Sequence, residues 1–380
     1  MDDPVTRAQA SEPAGERVPR VVVLTNTPVP YRSPMYAEVL RQRRMELHLV
    51  YCTGAYIDKT QDESQQPYAV HYLGGRYLAW DKRFLHADAG IWRLLDGIRP
   101  DVLVTTGYVP TYLLAFTWAR RHRVRHVAMT DGTLRQEASL TWLHRLLRRW
   151  VLRRSAACIG ASRGSLQIFE AFGVPPSQCF VAGLCVDNAR FAHESDRTTD
   201  LLYSSRLVPH KNPVFALQVA ERTARLLGRR VSLDVLGEGE LLPELQRQAG
   251  ALAEWVEVRF LGYRPQAELP QHYGRARLFL FPTSWEPWGL VANEACAAGL
   301  PVLIGEAAGS ANELVIDGEN GCVLPLDADL WARHCARLLT DAALWARCSR
   351  RSRELVGGWS FQRAAAGFCA AIDRAMMGRA

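Results

Sequence analysis

The segment that decides the fold is residues 281–294, FPTSWEPWGLVANE, which continues as ACAAGLPVLIG to residue 305. The apolar run at residues 278–281 predicts a strand. The stretch that follows Gly289 predicts a helix that ends at Gly299 and Pro301. Strand, loop, helix and strand in this order form the repeating unit of a parallel α/β sheet.

Two glutamates frame this unit. Glu286 lies in the predicted loop, and Glu294 lies a little over one turn into the predicted helix. Taken alone, Glu294 is more typical of an exposed charge on the helix surface. Backbone N–H groups at a helix start attract anions, and carboxylates beside them accept hydrogen bonds from hydroxyl groups. Eight helical residues span ~12 Å, more than the ~5–9 Å between the two carboxylates of a glycosidase. The pattern therefore favours two contacts with one ligand that carries phosphate and polyol.

Length and composition indicate a globular protein of two domains. The chain has 380 residues, of which 48% are apolar and 22% are charged, and such a length exceeds that of one average domain. No run of 18 uncharged apolar residues occurs, so no membrane-spanning helix is expected. Nine scattered cysteines without a Cys-x-x-Cys pair favour reduced thiols, and hence a cytoplasmic location.

Apolar runs alternate with helical patterns twice along the chain. The first series starts at residues 21–24 and ends at 156–161; the second starts at 201–207 and includes 278–281 and 301–304. This alternation predicts two Rossmann-like domains with parallel sheets, whose strand ends face a cleft. The predicted parts are a disordered tail at 1–19, an N-terminal domain at 20–186, a linker at 187–199, a C-terminal domain at 200–358 and a final segment at 359–380.

Arg206 and Lys211 follow the first strand of the second half. They therefore lie at the carboxyl end of that strand, where ligands bind in open parallel sheets. A guanidinium and an ammonium group together suit a diphosphate. The alternative is two solvated charges in a turn, which contribute little to stability.

Five motifs in one order carry a family resemblance. They are Arg206 with Lys211, LGEG at 236–239, VRFLGY at 258–263, EPWGLVANEACAAGLPV at 286–302 and GSANELVIDGENG at 309–321. This series resembles the C-terminal, donor-binding domain of retaining GT-B glycosyltransferases of family 4. The likeness is close over about residues 200–325 and covers the N-terminal half only in layout. It implies a GT-B fold, an α/β architecture of two Rossmann-like domains, with a C-terminal helix that crosses back to the N-terminal, acceptor-binding domain.

The resemblance implies an activity and a role for each matching residue. The activity is transfer of a hexose from a UDP- or GDP-sugar to a glycan, lipid-linked or glycolipid acceptor in cell-envelope or polysaccharide biosynthesis. Configuration is retained, and no metal or cofactor is required. The implied roles are diphosphate binding by Arg206 and Lys211, sugar binding by Glu286, ribose binding by Glu294, sugar and phosphate contacts from the backbone of Gly289 and Leu290, and base contacts from the backbone of Gly262, Tyr263 and Arg264.

The N-terminal half departs from the family pattern at two places. The loop at residues 25–32 lacks the Gly-Gly turn of many members, and Arg32 is available to supply charge to the donor instead. Asp131 stands where many members have a histidine near the sugar. A donor or acceptor contact by Asp131 and a simple Asp-Gly turn remain equal alternatives.

Positive charge concentrates in one window of the N-terminal half. Residues 120–163 contain eleven arginines and two acidic residues, and the whole chain has a formal net charge of +7. Within this window, the apolar residues of 142–151 share one helical face. We expect that face to pack on the sheet; direct insertion of the face into a membrane is the alternative. The arginines from Arg120 to Arg154 would then meet an anionic membrane at its inner leaflet. Nucleic acid is not expected, because no recognition motif is present.

Other classes of protein fit less well. A dehydrogenase needs Gly-x-Gly-x-x-Gly after a strand, and the nearest candidate, GEGELL at residues 237–242, lacks the third glycine. A GT-B sugar-nucleotide epimerase would use the same donor site without an acceptor. A non-catalytic sugar- or polyanion-binding protein would bind the ligand without turnover.

Overall fold

The computed structural model describes residues 17–29, 31–53, 66–74, 77–80, 83–134, 140–192 and 195–377. Most of the tail predicted at residues 1–19 lies outside these ranges. Within them the chain forms two units, each built around one parallel sheet, with a separate antiparallel strand pair.

The N-terminal sheet has seven parallel strands in the order β3-β2-β1-β6-β7-β8-β9. Its first strand, Arg20–Thr25, contains four consecutive apolar side chains with no exposed surface, because helices cover both faces of a parallel sheet. The strands are β1 Arg20–Thr25, β2 Glu46–Tyr51, β3 Ala69–Tyr72, β6 Val102–Thr105, β7 Arg125–Thr130, β8 Ala157–Gly160 and β9 Cys179–Val181, and the antiparallel pair is β4 Tyr77–Trp80 with β5 Arg83–His86. The helices are α1 Ser33–Gln42, α2 Gly90–Ile98, α3 Pro110–Arg121, α4 Trp142–Leu152 and α5 Arg163–Ala171.

The C-terminal sheet has six parallel strands in the order β12-β11-β10-β13-β14-β15. Its strand order reverses between β10 and β13, and ligands of open α/β sheets bind at such a switch point. The strands are β10 Thr199–Ser204, β11 Val231–Leu236, β12 Val256–Gly262, β13 Ala276–Phe281, β14 Val302–Gly305 and β15 Gly321–Leu324. The helices are α6 Asn188–Phe191, α7 Pro213–Leu227, α8 Leu242–Ala251, α9 Leu269–Arg275, α10 Leu290–Ala297, α11 Ala328–Thr340 and α12 Ala342–Val356.

The segment between the two units is not an extended linker. Asp187 accepts a hydrogen bond from the N–H of Ala189 at 3.2 Å and so starts the short helix α6. Phe191, at the end of α6, is 1% exposed and packs edge-on against Tyr273. Asn188, in the same helix, donates hydrogen bonds to the carbonyls of Val356 and Trp359. These contacts attach the polar segment to the C-terminal part of the chain, and Thr199 already belongs to β10.

A last helix, α13 Phe361–Met377, returns to the N-terminal unit. It packs on α1 and contacts β7, β8 and β9, and Phe368 and Ile372 have no exposed surface. Gly367 permits this contact, because a Cβ at that position would overlap the carbonyl of Val181. Just before the helix, Trp359 packs on Trp288 with ring centroids 4.1 Å apart, which joins the two cores.

Candidate functional site

The loop between β13 and α10 depends on one glycine. Gly289 has φ of +97°, and a Cβ there would overlap the ring of Phe281. Only glycine adopts this conformation without strain. Helix α10 therefore begins at Leu290, just after the carboxyl end of β13, and its first N–H groups have no partners within the helix.

Lys211 and Glu286 form an ion pair at this helix start. The lysine side chain is 10% exposed and the glutamate side chain 18%, and the ammonium lies 5.7 Å from the centre of the Phe281 ring. Burial, together with the charge of Arg206, lowers the pKa of Lys211 to about 8. Lys211 is thus a cation at neutral pH, and its charge faces Glu286.

Arg206 differs from Lys211 in its surroundings. Its side chain is exposed, and among the described residues it has no ion-pair or hydrogen-bond partner. Two glycines of the LGEG turn fix its backbone: a Cβ on Gly237 would overlap the carbonyl of Ser205, and one on Gly239 the carbonyl of Leu207. The close approach of these two turns presents the Arg206 guanidinium at the carboxyl end of β10.

The turn that carries Lys211 and the loop that carries Glu286 are held together. The carbonyl of His210 accepts hydrogen bonds from the N–H of Ser284 at 2.9 Å and from the hydroxyl of Thr283 at 3.1 Å. The side-chain amide of Asn212 donates to the carbonyl of Pro282 at 2.8 Å. These bonds fix the two charged side chains relative to each other, so the site is preorganised. Trp285, in the same loop, is 41% exposed.

Glu294 lies in the middle of α10 and is 7% exposed. The hydroxyl of Tyr273 donates to its carboxylate at 2.6 Å. Burial raises the pKa of Glu294 to about 7, although the bond from Tyr273 opposes this shift. Such a carboxyl group changes its charge near neutral pH and accepts hydrogen bonds most strongly when it is ionised.

The three residues expected to contact a base lie at the end of β12. Gly262 has φ of +67°, and its carbonyl accepts a bond from the N–H of Gly237 at 2.9 Å. The N–H of Tyr263 donates to Glu238 at 3.3 Å, so this backbone donor already has a partner. Arg264 lies 3.6 Å from Glu268, and its Nε atom is buried without a partner. The side chain of Arg264 is therefore a better candidate for a ligand contact than the backbone N–H of Tyr263.

The structure brings Arg32 and Asp131 together in the N-terminal unit. The guanidinium pairs with the carboxylate; the Arg32 side chain is 8% exposed and the Asp131 side chain 42%. The charge of Asp131 helps to raise the pKa of Arg32 despite its burial. Arg32 was expected to supply charge to the donor, but its charge is largely balanced by Asp131. Its Nη1 atom remains buried without a partner.

Several contacts around the site have no sequence motif. Tyr273, which orients Glu294, lies 21 residues upstream of it. Trp288 donates to Asn293 at 2.8 Å, and Asn293 donates to the carbonyl of Leu184 at 3.4 Å, which connects the loop to the N-terminal side. The only sequence signal was the presence of Trp288 and Asn293 in the deciding segment. Nothing in the sequence alone pairs Tyr273 with Glu294.

Glu313 joins the two units across the cleft. Its carboxylate accepts hydrogen bonds from the N–H groups of Arg163 and Gly164, both at 2.9 Å. These two groups are the first of helix α5, where a negative charge is stabilised by the helix dipole. The C-terminal unit thus supplies the anion at the start of an N-terminal helix.

The packing of α4 differs from the expectation. Only its last turns are buried, at Val151 and Leu152, whereas Trp142, Leu143 and Leu146 are 76%, 50% and 56% exposed. The apolar face that the sequence predicts to pack on the sheet is therefore buried only at the end of the helix and exposed at its start. Within the part of the chain that the structure describes, no helix is long and apolar enough to cross a membrane. The same residues contain no group of three or more histidine, cysteine, aspartate or glutamate side chains that could hold a metal ion.

Comparison with known proteins decides the family. The family model "Glycosyltransferase Family 4" matches residues 35–190, and the model "Glycosyl transferases group 1" matches residues 185–355. The chain belongs to glycosyltransferase family 4. The resemblance seen in the five motifs is therefore confirmed, and the match extends to the N-terminal half, where the motifs gave only the layout.

Two curated relatives illustrate the range of this family. Glycogen synthase of Mycobacterium tuberculosis is 31% identical over 236 residues, which are 60% of this chain and 55% of that protein. A GDP-mannose-dependent alpha-(1-6)-phosphatidylinositol monomannoside mannosyltransferase of Mycolicibacterium smegmatis is 35% identical over 148 residues, which are 36% of this chain and 37% of that protein. The chain spans about half the length, or less, of the curated relatives it matches.

Solved structures confirm the predicted GT-B fold of this family 4 chain. Anabaena HepE, solved with UDP and glucose, has a TM-score of 0.70 at 16% identity and covers 94% of this chain and 99% of its own. A glycosyltransferase of Rickettsia africae has a TM-score of 0.74 at 12% identity and covers 96% of this chain and 100% of its own. At these identities the likeness concerns the fold.

Proposed function

We propose that this family 4 chain transfers a hexose from a UDP- or GDP-sugar to a glycan or lipid-linked acceptor, with retained configuration and without a metal. The observation that carries the proposal is the fixed arrangement of Lys211 and Glu286 at the start of α10, beside Arg206, whose charge has no partner among the described residues. Two cations and a helix start suit a diphosphate, and a carboxylate suits a sugar. HepE, which shares the fold, was solved with UDP and glucose.

Donor binding exchanges the partner of Lys211. The diphosphate brings more negative charge than one carboxylate, so it takes the ammonium group from Glu286 and also engages Arg206. Glu286 then becomes free to accept hydrogen bonds from hydroxyls of the donor sugar. This exchange keeps the buried ammonium paired at every stage, which matters because an unpaired buried charge costs several kcal/mol, about 3–5.

The reaction breaks the bond between the anomeric carbon and the diphosphate oxygen, and the electron pair stays on that oxygen. Arg206, Lys211 and the N–H groups of α10 stabilise the developing charge. An acceptor hydroxyl forms the new bond on the face from which the diphosphate leaves. Its proton passes to the leaving phosphate, so the configuration is retained. In this proposal Asp131, held by Arg32, is the carboxylate that binds an acceptor or donor hydroxyl from the N-terminal side.

The first test is a screen of nucleotide-sugars for thermal stabilisation. A ligand present at 100 times its Kd adds about 2.7 kcal/mol to the stability of the folded state, so the correct base and sugar raise the Tm most. Arg230→Ala provides a control because Arg230 is exposed and lies outside the site. No stabilisation by any UDP- or GDP-sugar would contradict the proposal.

The second test separates turnover from binding. Glu294→Ala is expected to weaken donor binding, whereas Lys211→Ala is expected mainly to lower the rate of donor hydrolysis or transfer. Binding without any hydrolysis or transfer would indicate a non-catalytic protein. Conversion of the nucleotide-sugar into its epimer without an acceptor would indicate an epimerase. Unchanged affinity and turnover in both variants would refute the assigned site.

A further inference from the structure

We propose that the exposed start of helix α4 inserts into the surface of an anionic lipid bilayer. The feature is an apolar tip, defined as Trp142, Leu143 and Leu146, whose side chains are 76%, 50% and 56% exposed. Three large apolar side chains within two turns of one helix form a contiguous exposed patch. Such a patch on a soluble domain marks an interaction surface.

The position of the tip follows from the topology. Helix α4 starts after the carboxyl end of β7 and ends before β8, where the N–H of Ala156 bonds to the carbonyl of His126 at 2.7 Å. Arg148, in the middle of α4, lies over the ring of Tyr108 at 4.7 Å, close after the end of β6. Arg148 is the sixth residue after Trp142, so the tip extends ~9 Å beyond that point. It therefore projects at the edge of the N-terminal sheet that also carries Asp131.

The charge around the tip selects the partner. Residues 140–154 contain five arginines and no acidic residue. Arg145 and Arg149, which lie beside the tip on the same helix, are both exposed. With 3.6 residues per turn, Arg149 lies about 20° from Trp142 around the helix, so the arginines flank the tip on its exposed side. Exposed tryptophan and leucine with arginines beside them are typical of a helix that binds an anionic lipid surface. Tryptophan is also enriched where membranes meet water.

The arginines counted from Arg120 to Arg154 do not form a single patch. Arg120 and Arg121 end helix α3, and Arg153 and Arg154 follow α4, so all four lie at the amino edge of the sheet. The tip lies at the opposite edge, with the cleft. Given the proposed transfer reaction, on which this step rests, docking through the tip brings the mouth of the cleft to the lipid headgroups. Docking in this orientation therefore favours a lipid-linked acceptor.

Flotation of the full-length protein with vesicles tests the inference. One set of vesicles contains phosphatidylcholine alone, and the other an equal mixture with phosphatidylglycerol. The double variant Trp142→Ser/Leu146→Ser is expected to bind about thirtyfold more weakly to both sets, because two large apolar groups no longer enter the bilayer. Arg149→Gln is expected to bind about fivefold more weakly to the anionic set and unchanged to the neutral set.

Leu226→Ser is the matched control. Leu226 is 56% exposed, as Leu146 is, but lies on α7 of the C-terminal unit, so vesicle binding should not change. Wild-type binding by the double variant, or an equal loss in the control, would overturn the inference. A third outcome would also overturn it: the wild type is a dimer, the double variant is a monomer, and both bind vesicles equally. In that case a second copy of the chain covers the tip.

Failure of this inference can be told apart from failure of the proposed function. Donor hydrolysis in solution requires no membrane and is expected to be equal in the wild type and in Trp142→Ser/Leu146→Ser. Hydrolysis without vesicle binding would refute only the membrane surface. Vesicle binding without any hydrolysis or transfer would refute the transferase and leave the surface.

Discussion

Replacement of Glu294 by glutamine should stabilise the protein above neutral pH while weakening donor binding. Burial raises the pKa of Glu294 from 4.5 to about 7, so the folded state holds a proton that the unfolded state releases. The stability from this proton is fully present below pH 4.5 and is lost as the pH rises through 7. A shift of this size corresponds to about 3 kcal/mol.

Glu294→Gln removes this pH dependence. The glutamine side chain at position 294 is neutral at every pH, and its amide oxygen still accepts the hydrogen bond from Tyr273. It should therefore match the wild type near pH 4 and exceed its free energy of unfolding by about 3 kcal/mol at pH 8. Urea denaturation at both pH values measures the difference. Glu257→Gln, at an exposed position of β12, is the control and should change neither value.

The same variant should bind the donor more weakly. A hydrogen bond from a ribose hydroxyl contributes about 1.5–3 kcal/mol when the acceptor is charged and about 0.5–1.5 kcal/mol when it is neutral. The loss of charge therefore lowers affinity about five- to tenfold at pH 8. Isothermal titration calorimetry measures this affinity in the wild type and the variant, with the nucleotide-sugar that the thermal screen selects. The combination of higher stability and lower affinity is expected of a buried functional carboxylate. Equal stability at pH 8, or the same gain in Glu257→Gln, would refute the reasoning.

Three further predictions concern the surroundings of the site. Gly289→Ala should lower stability by about 2 kcal/mol or more, because φ is +97° and a Cβ would overlap Phe281; an unchanged urea midpoint would contradict this. Asp131→Asn should lower the free energy of unfolding by about 2 kcal/mol, because the buried Arg32 guanidinium loses its counter-charge. Thermal unfolding measures the change, and an unchanged Tm would mean that solvent already compensates the charge of Arg32. Burial lowers the pKa of His126 to about 3. The neutral imidazole therefore contributes stability to the folded protein that is fully present above pH 6.5 and is lost as the pH falls through 3. His126→Gln should make acid unfolding less steep, and an equally steep curve would exclude His126 as a cause.

The sequence predicted the architecture because parallel sheets have a clear pattern. Runs such as residues 21–24, buried on both faces, are apolar throughout, and the helices between them repeat at helical spacing. The switch from one unit to the next was visible in the polar segment at residues 187–199. What the pattern could not show was Phe191, whose burial depends on an aromatic partner far away in the chain.

The candidate site was predictable where one segment carries it and not where two segments meet. Gly289, Glu286 and Glu294 share one stretch of chain, and Lys211 follows the end of a strand. The pairing of Arg32 with Asp131 joins loops 99 residues apart, and periodicity carries no information on such a contact. The prediction for helix α4 was wrong at its start for a related reason: the sequence shows an apolar face, but not which turns of that face have packing partners.

Helix α13 makes the order of synthesis matter for folding. Phe368 and Ile372 cover the sheet of the N-terminal unit, so that unit cannot close its core until α13 has left the ribosome. Some 185 residues separate the end of α6 from the end of α13, which corresponds to roughly 10–40 s of translation. During that time the surface that α13 will cover faces solvent, and a chaperone that recognises apolar sheet surface has its longest opportunity there.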